Sequence, residues 1–160
     1  MQKENDSLIF VVEDNRVYNK LIMSYLKSNK FTNLMPFYNG EDAINNLYRN
    51  PDIIIQDFLL DGMNGIEVLK KAKEMDSDVE FIFLSGQDNI DVAINTMKYG
   101  AYDYIVKDQM ALKKMVNKIN KIQSVNKLVK SNKRYKSGVI AFFVILAIII
   151  VAVLAFTLFF

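Results

Sequence analysis

The chain has no cysteine and no histidine among its 160 residues, and only two prolines. Without cysteine there is no disulfide framework and no thiol chemistry. Without histidine the chain cannot itself be a histidine kinase, a phosphohistidine carrier or an enzyme whose metal is held by imidazole. Its length allows one domain of ordinary size and little more.

Charge is missing from whole stretches. Residues 1–108 hold all 18 acidic residues and 11 basic ones, a net charge of −7. Residues 109–137 hold nine basic residues and no acidic one, and residues 138–160 hold no charge at all. Three charge characters imply three environments. The last stretch, GVIAFFVILAIIIVAVLAFTLFF, has only Thr157 as a mildly polar residue. As a helix it would extend roughly 34 Å, so the sequence predicts a transmembrane helix over 138–160. Before it, 123–137 reads as a basic juxtamembrane stalk. Its lysines fit the positive-inside rule and attraction to anionic headgroups, which places the preceding unit, 1–122, on the cytoplasmic face of a single-pass cell-membrane protein. Leu112, Met115, Ile119, Ile122 and Val129 follow helical spacing, so the last helix of that unit runs on into the stalk.

What is present in the first unit alternates. Short apolar runs lie at Leu8–Val12, Leu34–Phe37, Ile53–Ile55, Phe81–Leu84 and Tyr104–Val106. Helical stretches are predicted near 16–28, 41–48, 65–75 and 90–98. Runs without polar alternation are strands buried on both faces, and strands alternating with helices predict a parallel sheet covered on both sides. The expected fold is α/β, a flavodoxin-like doubly wound five-stranded sheet in the order 2-1-3-4-5. Pro36 removes a ladder donor from the second run, which fits the edge position that this order gives it.

The chemistry lies at the carboxyl ends of these runs, where such sheets bind ligands. The first ends in Glu13 and Asp14, the third in Asp57, the fourth in Ser85 and the fifth in Lys107. Three crowded carboxylates repel unless a cation joins them, and an all-oxygen set suits Mg²⁺. Lys107 offsets further charge. A carboxylate held in this way can attack phosphorus and form an aspartyl-phosphate.

In these residues the chain resembles a response-regulator receiver domain of two-component signalling. The stretches IFVVEDN, NGEDAI, PDIIIQDFLLDGMNGIEVL, FIFLSG and GAYDYIVKD carry the likeness across residues 8–108. The resemblance implies that Asp57 is the phosphoacceptor. It implies that Asp14, Asp57 and the backbone carbonyl of Leu59 ligate Mg²⁺ directly, with Glu13 acting through water. Ser85 takes the position of the hydroxyl that meets the phosphoryl group, Lys107 pairs with a phosphoryl oxygen, and Tyr104 is the aromatic that swings inward. Such a domain is no dedicated enzyme, although it catalyses its own phosphoryl transfer and autodephosphorylation.

The chain also departs from the family pattern. Asp108 stands where proline usually follows the lysine across a cis bond, which leaves the loop either trans or strained. Asp61 replaces a proline, and Gly86 replaces the usual alanine and opens space beside Asp57. The resulting expectation is a membrane-tethered receiver, phosphorylated by a histidine kinase or phosphotransfer protein in a phosphorelay. It signals to a downstream protein through a surface of helix 4, strand 5 and helix 5. The short apolar stripe of the stalk predicts a monomer or a weak phosphorylation-dependent dimer. No nucleic-acid partner is expected, because the membrane accounts for the basic run. Two alternatives stay open, a phosphate sink and a phosphorylation-independent membrane-anchored interaction module. A haloacid-dehalogenase-like phosphatase would need an acid at position 59, which is Leu59.

Overall fold

The structure, a computed structural model of the chain, describes residues 7–75, 78–129, 139 and 142–145. Its elements run β1 (Ile9–Val12), α1 (Arg16–Ser28), β2 (Leu34–Phe37), α2 (Gly40–Asn45), a 3₁₀ turn (Leu47–Arg49), β3 (Ile53–Asp57), α3 (Gly65–Glu74), β4 (Glu80–Ser85), α4 (Ile90–Lys98) and β5 (Asp103–Val106). A further helix, α5, spans 111–129. The chain divides into two units, Met1–Lys121 and Ile122–Phe160, and the strands and α1–α4 all belong to the first.

The five strands form one parallel sheet in the order β2-β1-β3-β4-β5. β1 and β3 lie inside it and every residue of both is buried, which is why neither shows polar alternation. β2 is an edge strand, and its Pro36 is exposed. From β1 the chain first moves to one side of the sheet and then returns to build the other. Right-handed crossovers therefore place α1 on one face and α2, α3 and α4 on the opposite one. Packing agrees for α2 and α3. Phe10, Val12, Ile54, Phe81 and Phe83 form one core with Ala43 of α2 and Val68, Leu69 and Ala72 of α3, while α1 packs on β1 and β2. The order reverses between β1 and β3, so a cleft opens beyond their carboxyl ends.

Asparagine sets the helix starts. Asn15, Asn39, Asn64 and Asn89 each accept hydrogen bonds from the first turn of α1, α2, α3 and α4, satisfying donors that have no partner within the helix. Asn64 also shares a capping box with Glu67. Gly65, next in line, admits no larger residue without movement. A Cβ there would lie 2.9 Å from the Asp57 carbonyl oxygen and 2.7 Å from the Phe83 ring. The start of α3 is thus pressed against the end of β3.

Several boundaries differ from those read in the sequence. The helix expected over 41–48 stops at Asn45. The Asn46 side chain donates to the Asp42 carbonyl, a 3₁₀ turn follows, and Asn50 takes a left-handed φ of 53°, a region that asparagine tolerates. β3 and β4 do end on Asp57 and Ser85, as the sequence reading has them. Among the described residues no helix is long and apolar enough to cross a membrane. The transmembrane helix expected over 138–160 lies outside the described residues, apart from 139 and 142–145, which are helical. The expected stalk, 123–137, is described only to 129, where it is helical.

Asn19 joins fold to cleft. It is 1% exposed, and its amide donates to the carbonyls of Val11 (3.4 Å), Glu13 (3.2 Å) and Phe37 (3.0 Å). One side chain so ties α1 to the ends of β1 and β2. Asn19→Ala should lower the unfolding free energy by about 1–3 kcal/mol, because it removes the buried amide hydrogen bonds that tie α1 to the strand ends. Urea denaturation checks this, and an unchanged midpoint would show that the amide carries nothing.

Candidate functional site

Each strand of the cleft delivers one part. Beyond β1 come Glu13, which is buried, and Asp14, which is half-buried. β3 ends on Asp57 at 8% exposure and β4 on Ser85 at 0%. Lys107 follows β5 directly, and its backbone N–H donates to the Ser85 carbonyl at 2.7 Å.

Four of these side chains, those of Glu13, Asp14, Asp57 and Lys107, converge. Carboxylate oxygens of Glu13, Asp14 and Asp57 all lie within 4.8 Å of one another. The set is all oxygen, anionic and partly buried, which fits Mg²⁺ and offers nothing to a softer metal. Lys107 reaches across it. Its Nζ stands 2.8 Å from Glu13 Oε2 and 2.5 Å from Asp57 Oδ2. The other Asp57 oxygen, Oδ1, accepts the Leu59 backbone N–H at 3.2 Å. Asp14 Oδ1 accepts the N–H of Asn15 at 2.7 Å.

The electrostatics follow the geometry. Burial pushes the Glu13 carboxyl above its ordinary range, the Lys107 hydrogen bond and charge pull it back, and Asp57 and Asp14 push it up again. For Lys107, burial disfavours the ammonium, but the hydrogen bonds to Asp57 and Glu13 outweigh it and hold the pKa above the usual lysine value. Lys107 is a cation whenever both carboxylates face it.

Ser85 and Tyr104 are linked through the loop after β4. Ser85 Oγ accepts the N–H of Gln87 at 3.0 Å, and the Tyr104 hydroxyl donates to the carbonyl of the same Gln87 at 2.9 Å. The Tyr104 ring also meets Phe58, the residue after Asp57, edge-on at 6.4 Å. A Cβ added at Gly86 would meet nothing within 4 Å, so that position is open.

The loop after Lys107 resolves one alternative left by the sequence. No described peptide bond is cis, so Lys107–Asp108 is trans. Asp108 uses what a proline lacks, since its N–H donates to the Val106 carbonyl at 2.8 Å. Its carboxylate accepts the Met110 N–H at 2.8 Å and pairs with Lys114 at 2.6 Å, capping the start of α5. The pairing with Lys114 and then the Met110 bond hold the Asp108 carboxyl below its ordinary value. Asp61 is exposed and joins none of the contacts described above.

Two residues of the site were not singled out from sequence. Asn19 holds the end of β1, as described. Tyr18 places its ring 4.5 Å from Lys107 Nζ. In sequence both read as ordinary positions of an amphipathic helix. The available signal was that the first turn of a helix after β1 must hang over the carboxyl edge of the sheet.

Comparison with known proteins gives one answer. The model of the family described as response regulator receiver domain matches residues 9–120. The regulatory protein LuxO of Vibrio cholerae is 37% identical over 90 residues, which is 56% of this chain and 20% of LuxO. The transcriptional regulatory protein CssR of Bacillus subtilis is 36% identical over 100 residues, 62% of this chain and 44% of CssR. The chain therefore matches less than half the length of either relative. Among solved structures, the signal receiver domain of a LuxO repressor protein from Vibrio parahaemolyticus has a TM-score of 0.71 at 25% identity, covering 78% of this chain and 95% of that one. A chain of the CheX–CheY–BeF₃–Mg²⁺ complex from Borrelia burgdorferi has a TM-score of 0.66 at 24% identity, with 72% of this chain and 88% of that one covered, a likeness of fold. With a family match across the whole sheet and its cleft, this chain belongs to the response regulator receiver domain family.

Proposed function

We propose that the chain accepts a phosphoryl group from a phosphohistidine donor onto Asp57 and presents a switched surface to a downstream protein while tethered to a membrane. The observation that carries the phosphoryl transfer is Lys107 held on Asp57 Oδ2, beside a cluster of carboxylates that needs a cation. A carboxylate oxygen of Asp57 forms the bond to phosphorus as the P–N bond to the donor imidazole breaks, and that nitrogen keeps the electron pair. Lys107 then donates to a phosphoryl oxygen, meeting charge where the transfer leaves it. Glu13, Asp14, Asp57 and the Leu59 carbonyl would hold Mg²⁺, which supplies charge neutralisation of the phosphoryl oxygens when bound. Ser85 turns its hydroxyl to the phosphoryl group. Because Ser85 and Tyr104 share Gln87, movement of one is felt by the other.

The face formed by α4, β5 and α5 is the proposed output surface. Ile90, Ile94 and Met97 of α4 are exposed, and only Thr96 of that helix is buried, so α4 is lightly held and free to respond. The tether rests on the sequence of 138–160 and the basic run before it. A single-pass anchor of this kind keeps the receiver at the cytoplasmic face, as a monomer or as a weak dimer on phosphorylation. A histidine kinase or phosphotransfer protein is the donor that a receiver implies.

With Mg²⁺ and acetyl phosphate, the chain should gain a phosphoryl group that Asp57→Asn abolishes. Lys107→Ala should slow labelling by about 100-fold, as removal of a preorganised donor does elsewhere. Full labelling of Asp57→Asn, followed by intact-mass spectrometry, would sink the assignment. Asp14→Ala should raise the Mg²⁺ dissociation constant by about tenfold or more, read by titration calorimetry. Membrane attachment has its own test. The full chain should stay with membranes through carbonate extraction, and a chain ending at Tyr135 should be released, with any residual binding lost as salt rises. A truncated chain still bound at high salt would place the anchor elsewhere.

A further inference from the structure

We infer that Tyr18 is a positioning residue for Lys107, its aromatic face holding the ammonium over Asp57. The inference deepens the proposed phosphoryl transfer and rests on the role given there to Lys107.

Lys107 follows the short strand β5 and is only partly covered, with 19% of its side chain exposed. The next residue offers it no hold, because Asp108 is engaged with Met110 and Lys114. A four-carbon lysine stem has many rotamers, and two carboxylates alone do not fix which way it lies between them. The Tyr18 ring supplies a third side. Its centroid stands 4.5 Å from Nζ, within the range of a cation–π contact.

The ring is itself firmly placed. Tyr18 lies in the first turn of α1, where its N–H donates to the Asn15 cap at 3.1 Å. The next residue, Asn19, is anchored to three carbonyls of β1, β2 and the cleft. Arg16, the nearby cation on the same turn, is occupied over the Tyr38 ring at 4.8 Å and so leaves the Tyr18 face to Lys107. The ring is half-buried, so water competes weakly for the ammonium on that side. An aliphatic residue there would cover Lys107 but would present no negative face to it.

Two readouts on the full chain in detergent micelles test this. The first is the labelling rate at saturating acetyl phosphate with Mg²⁺. Tyr18→Leu should slow it by about three- to thirtyfold, the range of a partly desolvated cation–π contact, with the Mg²⁺ dissociation constant held within about twofold. Tyr18→Phe keeps the ring and should recover most of the rate. In a Lys107→Ala background, Tyr18→Leu should cost nothing further. A Leu variant as fast as the parent, a Phe variant as slow as Leu, or an equal loss without Lys107 would each overturn the inference. The second readout needs no phosphorylation. The Lys107 methylene protons nearest the ammonium should show an upfield ring-current shift by NMR, kept in Tyr18→Phe and lost in Tyr18→Leu. An unshifted parent, or a shift that survives in Tyr18→Leu, overturns it as well. If the parent chain never labels, the proposed function fails, and the NMR arm still decides whether Tyr18 holds Lys107.

Discussion

The cleft depends on one cation between two buried carboxylates. Glu13 is 1% exposed and Asp57 is 8% exposed, and burying a carboxylate is costly unless it has a partner. Lys107 meets both, from the far end of the sheet and 94 residues after Glu13. A partly buried ion pair of this kind offsets desolvation more than it adds stability. Its value here is placement. It keeps Asp57 at the end of β3 with Oδ2 against Lys107 and Oδ1 on the Leu59 N–H. The same arrangement is short of positive charge, since Asp14 adds a third carboxylate within 4.8 Å of the other two.

Around that centre the fold uses backbone to hold side chains. Leu59 N–H fixes Asp57 Oδ1, Asn15 N–H fixes Asp14, and the Ser85 carbonyl fixes the Lys107 backbone. Gln87 then carries two connections at once, its N–H to Ser85 and its carbonyl from Tyr104. Both contacts therefore share one peptide segment. Phe58 adds a second route, from the residue beside Asp57 to the Tyr104 ring. Asp108 shows how a departure from the family pattern is absorbed. The trans peptide frees an N–H for Val106, and the carboxylate starts α5.

Sequence alone determined the architecture and which charged residues meet at the carboxyl ends of the strands. Unbroken apolar runs force buried parallel strands, Pro36 forces an edge, and chemistry carried at run ends must meet at one edge of the sheet, since parallel strands all end there. The residues that hold the reactive groups in place were less legible. Tyr18 and Asn19 look like any helix positions until α1 is laid against β1, because a ring or an amide gains its role from what it faces and not from its neighbours in the chain. The helix-starting asparagines were visible but unassigned, since asparagine serves turns and caps alike. Whether Lys107–Asp108 was cis or trans was open in the sequence for a similar reason. Asp108 permits the trans form, and only the tertiary structure showed that the trans loop still delivers Lys107 to Glu13 and Asp57. Composition and spacing decide which groups arrive at the cleft. The angle and distance at which they meet depend on how helices pack against strands far away in the chain, and that packing is settled only when the whole sheet closes.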